Sequence, residues 1–119
     1  MLIIRPEQVE ALALAAARAT ARERAREWAA PFAEIADRGE PFLADLAENA
    51  TVRAWQYGLR GAADLRAFVQ LAFGVSPRFD DHPRFRALLE NSAIPPSERL
   101  ETLFATATAE DWAEAAAHE

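Results

Sequence analysis

The 119-residue chain has no cysteine and no lysine, only four glycines, one methionine and one tyrosine. Without cysteine there is no disulfide, no thiolate nucleophile and no thiolate metal site. Without lysine, all 13 basic residues are arginines, which fits the genome composition that abundant alanine also suggests. No apolar run is long enough to cross a bilayer, and no secretory core follows the short apolar opening before Arg5 and Pro6. Sustained period-2 alternation of β-branched residues is missing too, which argues against a sheet. The net charge of −6 argues against broad contact with nucleic-acid phosphates or anionic membrane surfaces. Together these absences predict a cytoplasmic protein without nucleic-acid or membrane partners.

Hydrophobic residues make up 51% of the chain, and the length suits one domain, residues 1–119. The pattern predicts an all-α bundle of five to seven helices with short loops. Pro6 opens a long helix running to about Ala29, because a first-turn proline lacks only an N–H that has no partner there. Val9, Leu12, Ala13 and Ala16 recur along it at helical spacing. A short helical turn precedes Gly39, and a second long helix spans Pro41 to Tyr57. Gly58 supplies its left-handed cap, with Leu59 folding back onto it. Asp64 to Phe73 is apolar on nearly every face, the mark of a central helix. A short helix from Pro83 presents Phe85, Leu88 and Leu89 to the core. Pro96 opens another, with Leu100, Leu103 and Phe104 inside. Thr108 and Asp111 make a capping box for a last helix docked through Trp112.

The stretch "GVSPRFDDHP" raises a chemical question, since Asp80, Asp81 and His82 are adjacent. A zinc centre needs three or four ligands, and the chain has only His82 and His118 as histidines. The oxygen spacing of a calcium loop is missing. Ser76 is the one nearby hydroxyl, and no nucleophile elbow surrounds it. The expectation is therefore a structural corner with no metal, cofactor or catalytic residue. Gly74 ends the preceding helix, Phe79 plugs the core, Asp80 or Asp81 caps the next helix, and Pro83 fixes its start.

Two sets of side chains are candidates for binding a partner. Arg18, Arg22 and Arg26 form a stripe, read either as a solvated face interlaced with Glu23 and Glu27 or as a grip on an acidic protein surface. Trp55 and Tyr57 lie two apart on a helix and so point to different sides. One of them is expected outward, as an interface anchor.

The block "YGLRGAADLRAFVQLAFGVSPRFDDHPRF", followed by "ENSAIPPSERLETLF", resembles small helical proteins encoded beside spike and effector genes of bacterial type VI secretion systems. The matching positions are Tyr57, Gly58, Asp64, Phe68, Leu71, Gly74, Phe79, Asp80, Pro83, Arg99 and Leu100, and "IIRPEQVEAL" resembles the family's opening. The resemblance implies a non-catalytic adaptor or chaperone that binds an effector or spike protein. An immunity protein blocking a basic toxin is the alternative, suited by the five acids from Leu100 onward. Self-association stays open.

Overall fold

The computed structural model describes residues 5–117, so His118 and the start of the family-like opening lie outside the described residues. Among them the chain is all-α: α1 Pro6–Ala29, α2 Ala33–Ala36, α3 Glu40–Gln56, α4 Ala62–Gly74, a 3-10 turn Phe79–Asp81, α5 Pro83–Leu89, α6 Pro96–Thr106 and α7 Ala109–Ala116. Proline occupies the first turn of α1, α3, α5 and α6. The α7 start is a reciprocal box: the Asp111 N–H donates to Thr108 Oγ1 at 3.1 Å, and the Thr108 N–H to Asp111 Oδ2 at 3.0 Å.

α1 and α3 lie side by side, and α4 packs against both. Their shared core is one cluster that includes Trp28, Leu43, Leu65, Phe68, Val69 and Phe79. Phe68 is fully buried, with Phe79 4.9 Å and Tyr57 6.0 Å away between ring centres. α5, α6 and α7 close one end, where Phe85 packs on Trp112 at 4.8 Å.

Two glycines have specific duties. Gly58 takes φ +89° after α3, and the Leu59 N–H returns to the Ala54 carbonyl at 3.0 Å while Leu59 itself is buried. Gly74 ends α4 without a left-handed backbone, and its role is close approach. A Cβ there would lie 2.4 Å from Phe32 Cε1.

Helical spacing does not by itself mark the core face of α1, and one expectation for α6 needs correction. Only the second half of α1 is in the core, through Ala21, Ala25, Trp28 and Ala29. Val9 and Leu12 remain 52% and 63% exposed. The 24-residue α1 is about 36 Å long and the 17-residue α3 about 26 Å, so α1 outruns its neighbour. That projection fits a radius of gyration of 14.9 Å, above the roughly 13–14 Å usual for this size. In α6, Leu100 and Leu103 are buried, but Phe104 sits half-exposed against Trp112.

Candidate partner-binding surface

The arginine stripe is bound within the chain. Arg18 Nε donates to Glu48 Oε2 at 2.6 Å. Arg22 Nη1 reaches Asp45 Oδ1 and Glu48 Oε1, both at 2.7 Å. Arg26 lies 3.5 Å from Glu40. α1 and α3 run antiparallel, so basic residues rising along one meet acidic residues falling along the other. The bonds from Arg18 and then Arg22 hold the Glu48 carboxyl below the usual range. Bonds to Asp45 and Glu48 raise the Arg22 guanidinium. The expected interlacing with Glu23 and Glu27 is thus corrected: the stripe's acids come from α3, and Glu27 pairs with Arg24 instead.

Tyr57 is not the outward anchor. Its hydroxyl donates to Asp80 Oδ2 at 3.0 Å, and its ring packs on Phe68. Burial, then the charge and hydrogen bond of Asp80, push the Tyr57 phenol well above its ordinary value. Trp55 is half-buried, with the Arg60 guanidinium 3.8 Å above its ring. Arg60 in turn bonds Glu10 at 2.6 Å and the Trp55 carbonyl at 2.8 Å.

The corner is a buried ionic hub. Asp80 is 1% exposed and accepts from Arg53 Nε at 3.1 and 3.2 Å as well as from Tyr57. Arg53 also donates to the Pro77 carbonyl. Neither aspartate caps α5. Both lie in the 3-10 turn, Asp81 pairs with Arg78 at 2.9 Å, and His82 occupies the N-cap position. Across the hub, Arg99 Nη1 donates to the Tyr57 carbonyl at 2.6 Å, and a Cβ on Gly58 would meet Pro96 at 3.2 Å. Tyr57, Gly58, Phe68, Phe79, Asp80 and Arg99, all positions of the sequence resemblance, therefore meet in space.

His82 is buried, and its Nε2 lies 2.9 Å from Glu114 Oε2. One ligand atom each from His82, Asp111 and Glu114 fall within 4.8 Å, which is cation-site spacing. Other features favour a structural dock for α7. Asp111 already accepts from the Thr108 N–H and from Arg84 at 3.2 Å, and these bonds, the Thr108 one foremost, lower its pKa. His82 Nδ1 is buried with no hydrogen-bond partner, so it lacks the acceptor that usually orients a ligating imidazole. Sequence reading missed this grouping because 29 or more residues separate His82 from the two α7 acids.

One recess on the surface is mainly apolar. α1, α3 and α4 leave a groove of about 280 Å³ between them, lined chiefly by Ala13, Ala16, Ala17, Trp28, Trp55 and Leu65. The alanines keep its floor low, and the two tryptophans and Leu65 wall it. Val9 and Leu12 are exposed on the adjoining turns of α1. Such a recess accepts an apolar side-chain ridge. Among the described residues no helix is long and apolar enough to cross a membrane. No known family, characterised protein or solved structure matches this chain.

Proposed function

We propose that the chain is a non-catalytic protein-binding module whose α1–α3–α4 groove receives an apolar helical segment of a partner. The observation that carries this reading is the groove with its exposed neighbours Val9 and Leu12. Contiguous exposed apolar surface on a small domain commonly marks an interaction site, and helix-in-groove docking uses this chemistry. The sequence resemblance supplies the setting: the partner is an effector or spike protein of a type VI secretion system, and this chain is its cytoplasmic adaptor or chaperone. Arg18, Arg22 and Arg26 act within the module by clamping α1 to α3, and Trp55 serves as a groove wall.

The test is complex formation with the products of adjacent effector or spike genes, wild type against Ala17→Trp. Filling the groove should weaken the complex at least about tenfold, with helicity and melting unchanged. No complex with any of those products would overturn the reading. Protection of cells from an adjacent toxin, with no effect on secretion, would replace it with the immunity role.

A further inference from the structure

The outward face of α1, counted from its N-cap residue Arg5, carries an ordered series along the edge of the groove. Arg5, Val9, Leu12, Ala16, Ala19 and Glu23 follow one another at spacings of four, three, four, three and four. That is the seam spacing of a two-stranded coiled coil. All six are exposed. Between Arg5 and Glu23 the seam bears no charge, and neither of these has an ion-pair partner among the described residues. The seam is therefore basic at one end, apolar through its middle and acidic at the other.

This order is complementary to itself in one orientation. Laid antiparallel on a second copy, Arg5 meets Glu23 of that copy, Val9 meets Ala19 and Leu12 meets Ala16. Each large side chain then faces a small one, and both charged ends are paired. A parallel arrangement sets arginine on arginine and glutamate on glutamate, while Ala16 and Ala19 face only alanine. The two helix dipoles also oppose favourably when antiparallel. We infer that the chain forms an antiparallel two-fold dimer through this α1 seam. From Arg5 to Glu23 the seam is about 27 Å long. A single helix pair of that length falls short of a standard interface, so the dimer is weak and depends on concentration. The seam shares Ala16 with the groove and takes in Val9 and Leu12, the exposed neighbours named for partner binding, so the two readings draw on one stretch of α1 and are told apart by their separate tests.

Cysteine cross-linking of the full chain tests it without background, because the chain has no cysteine of its own. Arg5→Cys and Glu23→Cys proteins should each stay largely uncross-linked alone and give mixed disulfide dimers when combined. Sedimentation across concentration should show wild-type dimer and Leu12→Glu monomer. Arg5→Glu should weaken association about tenfold, and the double variant Arg5→Glu with Glu23→Arg should restore it. Self-cross-linking of each single-cysteine protein would refute the antiparallel order. A wild-type monomer at millimolar concentration, or equal association by all the charge variants, would overturn the dimer.

Discussion

Replacing Asp80 by alanine tests whether the corner is an ionic hub or a helix cap. The substitution removes a carboxylate that is 1% exposed and takes hydrogen bonds from Arg53 and Tyr57. Arg53, whose side chain is only 18% exposed, keeps the Pro77 carbonyl but loses its counter-charge. Breaking such a pair from one side costs about 3–5 kcal/mol, whereas loss of a cap costs about 0.5–2 kcal/mol. The magnitude alone separates the two accounts. Tyr57→Phe deletes one hydrogen bond to a charge that Arg53 still neutralises, so its cost should be near 1.5 kcal/mol. Replacing the pair together, Arg53→Met with Asp80→Leu, should recover much of the loss because no charge stays buried alone. Urea unfolding measures all four proteins, with an unchanged denaturant slope confirming that the comparison concerns the native state. An Asp80→Ala cost below about 1 kcal/mol would show that ring packing, not the ion pair, holds the corner.

Tyr57 is the one tyrosine in the chain, so phenolate absorbance reports it alone. Its folded pKa is raised, so its contribution to stability is complete below the ordinary tyrosine range near 10 and is lost as pH rises through the folded value. Absorbance should therefore appear together with alkaline unfolding, and Tyr57→Phe should flatten the alkaline loss of stability. A smooth titration of the folded protein near pH 10 would contradict the buried bond to Asp80. Phe68→Ala should cost about 3–5 kcal/mol in the same urea assay, because the ring is fully buried between Tyr57 and Phe79. Normal melting of that variant would place α4 outside the core.

Features written in neighbouring residues were legible in the sequence. The proline starts of α1, α3, α5 and α6, the Gly58 cap with Leu59, and the Thr108–Asp111 box each need only a few adjacent side chains. Helical period also picked out the buried α4, but it could not show which face of α1 meets its neighbours. Val9 and Leu12 recur at helical spacing and are exposed, on a different face of the helix from buried Ala21 and Ala25. Asp80 looked like a cap because a short acid before Pro83 fits the local rule, while its actual partners lie 23 and 27 residues earlier. The two-residue offset of Trp55 and Tyr57 rightly separated their directions. It could not reveal that Asp80 would be there to take the tyrosine hydroxyl. One long-range signal was readable: Glu40, Asp45 and Glu48 recur along α3 in the reverse order of Arg26, Arg22 and Arg18 along α1. Matching those series would have turned the proposed partner grip into a helix–helix clamp.

The groove as the contact surface is the central claim, and amide hydrogen exchange of the chain with and without the adjacent effector or spike protein tests it most directly. The backbone of α1 between Ala13 and Thr20, which lies largely at the surface, and the start of α4 from Ala62 to Leu65 should gain protection in the complex. The α6–α7 end should exchange as it does in the free protein. Protection confined to α6 and α7, with α1 unchanged, would contradict the account.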